Sequence, residues 1–105
     1  MERLGLIEKI IIEGKEIFAK VDTGASTSSI DEKLAEELGI TNIIKTKHVR
    51  NAHGESERPV VKAKVIVQGK QMKTRFNIMN RKRMKYKVLL GKNTLKRGFI
   101  IDPNK

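Results

Sequence analysis

The sequence predicts a mainly β fold that closes into a single lobe and carries one or two short helices. Apolar and polar side chains alternate along residues 61–67 and again along residues 17–21, as strands with one buried face require. Gly-Lys pairs at 14–15 and 69–70 mark hairpin turns between such runs. The length of 105 residues predicts one domain over residues 1–105.

The elements are predicted in the order β-β-loop-α-β-β-β-β-α-β. Residues 3–22 predict a hairpin, and residues 28–40 predict a helix capped by Ser28 or Ser29 and stopped by Gly39. A long β excursion follows over residues 43–80, including strands at 60–67 and 74–79. Residues 84–91 predict another strand, 92–98 a helix of about two turns ending at Gly98, and 99–102 a final strand.

The composition indicates a globular protein with an acidic partner. The net charge of +11 attracts anions, although a solvated basic surface would give the same count. Nucleic acid is the usual anionic partner, but the chain has only four aromatic residues with which to stack bases. It has no Cys, no apolar run of membrane-spanning length and no signal-peptide pattern at its start, so we expect a cytoplasmic protein without a membrane partner.

The segment Asp22-Thr23-Gly24 carries the candidate chemistry. It follows an apolar strand, and Gly24 allows a sharp turn with close backbone approach. Such a turn is the local pattern of an aspartic peptidase loop, in which two carboxylates share one proton, activate water and polarise a peptide carbonyl. Asp31 and Asp102 lie outside any such turn. The second carboxylate is therefore predicted to be Asp22 of an identical subunit, across the axis of a homodimer.

Beyond this tripeptide, the segment VLLGKNTL at 88–95 adds an apolar strand, a glycine and a short helix. Together these features resemble a retropepsin, which implies a closed, single-lobe acid protease barrel with a flap. Three stretches, AKVDTGASTSSI, VRNAHGESERPVV and RKRMKYKVLLGKNTLKRGFIIDP, resemble the bacterial and archaeal branch labelled "ATP-dependent zinc protease". That resemblance implies cleavage of poly-glutamate tails, which would give the positive charge a partner.

The predicted function is that of a homodimeric aspartic endopeptidase acting on an acidic peptide or tail. Asp22, Thr23 and Gly24 form the predicted catalytic loop, with Gly54 in a mobile flap. Arg81, Arg83 and Lys85 are expected to alternate onto one side of an extended segment that faces a row of glutamates. The predicted substrate contacts are Ala25, Arg50, Asn51, His53, Gly54, Arg81, Arg83 and Lys92.

Two positions depart from the branch that the sequence resembles. Ser26 stands where the branch often has a basic residue, and Lys92 stands in place of an Arg, which keeps the charge but loses the planar fork. The zinc and ATP labels find no support, because the chain has neither a His-Glu-x-x-His segment nor a Walker loop. No metal and no cofactor are predicted.

Two other functions are compatible with the sequence. The same fold could serve as a catalytically silent peptide-binding module, although Asp22 is intact. A basic nucleic-acid-binding protein is the less favoured alternative. The predicted helix carries four acidic residues that would repel phosphate, and no helix-turn-helix or RNP-like pattern is present.

Overall fold

The computed structural model describes residues 1–52 and 54–105, so the predicted site residue His53 lies outside the described residues. Nine strands and two helices are found there. The elements are β1 (Glu2–Leu4), β2 (Ile7–Ile12), β3 (Lys15–Val21), β4 (Ser28–Asp31), α1 (Glu32–Glu37), β5 (Ile43–Asn51), β6 (Gly54–Val67), β7 (Lys70–Met79), β8 (Val88–Leu90), α2 (Lys92–Leu95) and β9 (Phe99–Ile101).

Six of these strands close into a barrel. Their order is β2-β3-β8-β4-β7-β6, and β6 pairs back onto β2 to complete the ring. Among the described strands β5 pairs with β6 alone, so the β5–β6 hairpin projects from the barrel. β1 and β9 form a separate two-stranded parallel sheet. The prediction of a mainly β, closed, single-lobe fold with one or two short helices is confirmed.

The barrel interior is filled by the apolar side chains that the alternation predicts. On β6 the residues Val61, Ala63, Val65 and Val67 are all buried, and Phe76 on β7 is buried with them. Removing such side chains from water is the main favourable term in folding. The opposite faces of the same two strands carry lysine and arginine, which remain exposed.

Two tight turns fix the register of the β2–β3 and β6–β7 hairpins. Glu13 and Gly14 have φ of 45° and 84°, and Gln68 and Gly69 have φ of 49° and 76°. Positive φ at both central residues is the type I′ geometry, which matches the twist of the flanking strands. Each turn lies one residue earlier than the predicted Gly-Lys pair, because the glycine takes the second central position.

The first helix is shorter than predicted and has a different cap. Ser28 and Ser29 lie in β4, which pairs with β7 and β8, so neither serine caps α1. The cap is Asp31, whose carboxylate accepts hydrogen bonds from the N–H groups of Lys33 and Leu34. The predicted stop is confirmed at Gly39, which follows the C-cap with φ of 72°.

The predicted strand over residues 84–91 is wrong in its first half. Residues 80–87 form turns, and β8 begins only at Val88. The ammonium of Lys87 holds these turns by donating to the carbonyls of Arg81, Lys82 and Met84 at 2.8–3.0 Å. The second predicted helix is also shorter, with α2 ending at Leu95, while Gly98 has the left-handed φ of 101° expected of a stop.

Candidate active site

Asp22 follows the last residue of β3, at the point where this strand leaves the barrel. Its backbone N–H donates to the carbonyl of Leu90 on β8 at 3.0 Å, which fixes the carboxyl end of β3 beside that strand. The side chain is half-buried, and its Oδ1 accepts a hydrogen bond from the N–H of Gly24 at 2.8 Å. In the described part of the chain, Oδ2 accepts no hydrogen bond, so this oxygen is available to water or to a second carboxylate.

Gly91 lies against the backbone of the Asp22 loop, which we define as residues 22–27. A Cβ at Gly91 would stand 2.4 Å from the carbonyl oxygen of Thr27 and 2.9 Å from that of Ala25. Two hydrogen bonds also attach the loop to the start of α2. The N–H of Lys92 donates to the carbonyl of Ala25, and the N–H of Asn93 donates to that of Ser26. The glycine therefore permits a contact that positions the loop carrying Asp22.

A network of hydroxyl and amide groups, largely buried, connects the end of the loop to α2 and β7. The Ser28 hydroxyl lies 2.8 Å from Oδ1 of Asn93 and 2.7 Å from the Thr94 hydroxyl, which in turn lies 3.0 Å from that of Thr74. Ser28 Oγ also accepts a hydrogen bond from the N–H of Gly91 at 3.0 Å. These residues were not predicted as part of the site, although the polar Asn-Thr pair inside the predicted short helix was a visible signal.

Besides Asp22, three of the predicted site residues lie in the loop, and three lie in the β5–β6 hairpin. Thr23 and Gly24 are exposed, and Ala25 is half-buried. Gly54, with φ of 125°, pairs with the backbone of Asn51 at the hairpin end, where the sequence predicted a flap tip. Their contact with substrate stays a prediction.

Arg50 also lies in the β5–β6 hairpin. Its guanidinium pairs with Glu55 across the hairpin at 2.8 Å, and both side chains are exposed. An acidic peptide that took this guanidinium would have to replace Glu55 as its partner. The ion pair is exposed and therefore weak, so such an exchange costs little.

Arg81 does not lie on an exposed face with Arg83 and Lys85, as the sequence had suggested. Its side chain is 6% exposed, and its guanidinium donates to the Tyr86 carbonyl and to the Ser29 hydroxyl at 3.0 and 3.2 Å. Burial lowers the pKa of the Arg81 guanidinium, while the charges of Asp31 and Asp22 act to raise it. This placement favours a role in positioning the site over direct contact with substrate.

Arg83 and Lys92 are both exposed, but they belong to different segments. Lys92 is the first residue of α2, and its N–H donates to the carbonyl of Ala25 in the Asp22 loop. Arg83 lies in the turns of residues 80–87 and lines a cleft with Asn80, Lys82 and Met84. Both remain predicted substrate contacts.

A cleft of about 450 Å³ opens between the Asp22 loop and the β5 strand. Thr27 of the loop forms part of its wall, and three cations contribute to it, Lys45 and Lys47 from β5 and Arg75 from β7. Asn77 and Asn93 add amide groups. None of the three cations was predicted as a site residue, because only the folded hairpin brings β5 over the loop.

The described residues offer no ligand set for the zinc that the branch label implies. Across residues 1–52 and 54–105, no three side chains of His, Asp or Glu come close enough to share a metal ion. Within the same residues, no helix has the length and apolar character needed to cross a membrane.

The closed barrel and the Asp-Thr-Gly turn, supported by an apolar strand, a glycine and a short helix, define a retropepsin-like fold. The family model described as "gag-polyprotein putative aspartyl protease" matches residues 9–97. Since this match spans most of the chain, the protein belongs to that aspartyl protease family. No curated protein matches the sequence.

Solved structures from several organisms share this fold. A protein of unknown function from Legionella pneumophila superposes with a TM-score of 0.70 at 21% identity, covering 99% of this chain and 94% of its own. The simian foamy virus protease superposes with a TM-score of 0.69 at 22% identity, covering 86% of this chain and 91% of its own. The retroviral protease-like domain of Ddi1 from Leishmania major superposes with a TM-score of 0.68 at 21% identity, covering 89% of this chain and 76% of its own.

Proposed function

We propose that the protein is an aspartic endopeptidase that works as a homodimer and cleaves an acidic peptide or tail. The observation that carries the proposal is the setting of Asp22, whose loop is held by Gly91 and whose Oδ2 accepts no hydrogen bond within the described residues. Membership of an aspartyl protease family supports the same chemistry. The sequence resemblance to the branch with poly-glutamate-cleaving relatives supports the choice of substrate.

The second carboxylate is proposed to be Asp22 of the other subunit. The chain provides one Asp-Thr-Gly segment, and Asp31 is committed to capping α1 and to accepting the N–H of Arg81 at 2.7 Å. A two-fold axis brings the same residue of two subunits together, so the loops would meet at that axis. The site is therefore incomplete in one subunit.

The reaction then follows from two carboxylates that share one proton. The ionised Asp22 accepts a proton from a water molecule, whose oxygen attacks the carbonyl carbon of the peptide. The protonated Asp22 hydrogen-bonds to the carbonyl oxygen and stabilises the tetrahedral intermediate. Breakdown of the intermediate cleaves the C–N bond, and a proton passes from the pair to the leaving nitrogen.

An acidic substrate is supported by charge. The chain carries a net charge of +11, and Lys45, Lys47 and Arg75 line the cleft beside the Asp22 loop. A cleft lined by one sign of charge concentrates ligands of the opposite sign. Carboxylates of the substrate would replace water around these cations with charge-assisted hydrogen bonds.

The test is mass spectrometry of a peptide pool, including oligoglutamate tails, after incubation with wild-type protein and with Asp22→Asn. The substitution preserves shape and removes the ionisable group, so we expect cleavage by wild type alone. An untouched pool with both proteins would favour a silent binding module. Equal cleavage by both proteins would show that Asp22 does not perform the chemistry.

A further inference from the structure

A second basic cleft adjoins the one beside the Asp22 loop. It has a volume of about 390 Å³, and among the described residues five basic side chains and no carboxylate line it. Arg75 and Asn93 line both clefts, so the second continues directly from the first. The basic residues come from β6, β7 and the segment after α2: Lys62, Lys73, Arg75, Lys96 and Arg97.

The exposed face of the β6–β7 hairpin places like charges directly opposite each other. Lys62 pairs with Arg75 across the two strands, and Lys64 pairs with Lys73. All four side chains are exposed, and within the described residues none of them forms an ion pair. Like charges at opposed positions destabilise a sheet, so an arrangement of this kind favours an anionic ligand that offsets the repulsion.

The carboxylate of Glu13 offsets only part of the charge of this face. Glu13 lines one adjoining cleft with Lys62, Lys64 and Lys73, and it accepts a hydrogen bond from the backbone N–H of Lys64 at 2.8 Å. Arg97 donates through Nη1 to the carbonyl of Lys73 at 2.7 Å, which holds another positive charge over the strand. The face therefore keeps its positive charge in the folded protein.

We propose that this face is an exosite, formed by Lys62, Lys64, Lys73, Arg75, Lys96 and Arg97, which holds the acidic tail of the substrate beyond the catalytic cleft. The proposal rests on the proposed function, because it takes the same acidic peptide. A chain leaving the first cleft passes Arg75 and Asn93 and enters the second.

An extended acidic peptide fits this face. Alternate residues of a strand lie ~7 Å apart on one side, so Lys62 and Lys64 match the spacing of alternate carboxylates in an extended glutamate run. Of the residues that the structure describes, none that lines either cleft is an aromatic on which nucleic-acid bases could stack. The direct connection to the Asp22 loop also favours a peptide that is cut there.

Binding is measured first, in an Asp22→Asn background that prevents turnover. The probe is a fluorescent oligoglutamate of about a dozen residues, which at ~3.3 Å per residue exceeds the 36 Å longest dimension of the protein. Lys62→Gln together with Lys73→Gln should weaken binding by about three- to tenfold and reduce its salt dependence. The matched control is Lys15→Gln with Lys33→Gln, which removes the same charge from exposed positions outside both clefts.

Cleavage is measured next, with Asp22 restored, on long and short oligoglutamates. The exosite predicts that the ratio of kcat/KM for long over short peptides falls in the Lys62→Gln, Lys73→Gln protein and stays unchanged in the control. If both variants cleave and have the same ratio of kcat/KM for long over short peptides, the exosite is wrong and the peptidase proposal stands. If no peptide is cut but the binding difference persists, the peptidase fails and the face stands as a binding site for acidic peptides.

The nature of the ligand is tested by competition. Oligonucleotides with the same number of negative charges should displace the bound oligoglutamate less effectively than unlabelled oligoglutamate does. If they bind more tightly, and the same two lysines account for that affinity, the face is a nucleic-acid surface and the proposal is wrong.

Discussion

Gly91 illustrates how a residue without a side chain can position a neighbouring loop. Its φ is not left-handed, so backbone freedom is not the reason for glycine at this position. The reason is space, because a Cβ would stand 2.4 Å from the Thr27 carbonyl oxygen. Any larger residue must move the Asp22 loop, β8 or both.

We therefore expect Gly91→Ala to abolish activity and to cost about 1–3 kcal/mol of stability through overpacking. Urea unfolding and peptide cleavage measure the two effects. Gly39→Ala is the matched control, since its φ of 72° strains the backbone but no atom lies within 4 Å of the added Cβ. Wild-type activity in folded Gly91→Ala protein would contradict the positioning role.

Arg81 shows the opposite case, a charged residue used inside the protein. Replacing it with Met leaves the Tyr86 carbonyl and the Ser29 hydroxyl without their donor, at a cost of about 1–3 kcal/mol. Arg83→Met, on the exposed turn, should change stability by less than about 0.5 kcal/mol. Chemical denaturation of both variants measures the difference, and equal stabilities would show that the buried guanidinium is dispensable.

At the scale of elements, the strands were more predictable than the segments between them. Alternation along β6 follows from local spacing, and it gave the buried face correctly. The prediction that Ser28 or Ser29 caps α1 was wrong. Ser28 lies in β4, where its hydroxyl forms hydrogen bonds with Asn93 and Thr94, more than sixty residues away. Such long-range bonds leave no local pattern in the sequence.

The prediction that the strand begins at residue 84 was wrong for a similar reason. Residues 84–87 have the composition of a strand, but the Lys87 ammonium donates to three carbonyls and holds a turn.

In the candidate site, the Asp-Thr-Gly motif was recognisable from the local sequence. The cations that line the adjoining cleft come from β5 and β7, so only the tertiary fold brings them to the loop.

One buried carboxylate links several elements. Glu8 on β2 is 7% exposed and accepts from the Gly5 N–H at 2.6 Å, from Gln68 at 3.0 Å and from Lys105 at 3.2 Å. Burial acts to raise the pKa of Glu8, but these hydrogen bonds and the charge of Lys105 outweigh it and leave the pKa below its ordinary value. The ionised form is therefore the one that folding favours.

It follows that Glu8 stabilises the fold above its unfolded pKa of ~4.3, and that this contribution is lost as the pH falls through the lower folded-state pKa. Glu8→Gln should cost about 1–3 kcal/mol at neutral pH and reduce the loss of stability on acidification. Denaturation at pH 7 and pH 3 measures both. Glu16→Gln is the control, because that carboxylate is exposed, and an equal acid response in both variants would exclude Glu8 as a source.

For the whole molecule, the proposed pairing of Asp22 residues makes activity a property of two subunits. Mixing wild-type and Asp22→Asn subunits in equal amounts should leave ~one quarter of the dimers with two carboxylates, because subunits combine at random. Cleavage per total dimer should then fall to the same fraction. Glu37→Gln, on the exposed face of α1, serves as the mixing control.

A simple halving of the activity in the mixture would mean that each subunit acts alone. A second route to the same question is dilution, since dissociation into single subunits should lower the specific activity. Analytical ultracentrifugation over the same concentrations relates that loss to the oligomeric state. Activity that stays constant while the dimer dissociates would contradict the paired site.

The parallel pairing of β1 with β9 has a consequence for how the chain acquires its structure. Glu2 lies beside Phe99 and Leu4 beside Ile101, so this small sheet closes a loop of nearly the whole chain. Joining such distant segments carries a large entropic cost before it yields any contact, which makes the sheet a late step and the folding slow. Stopped-flow kinetics should therefore show that Ile101→Ala accelerates unfolding while the refolding rate hardly changes.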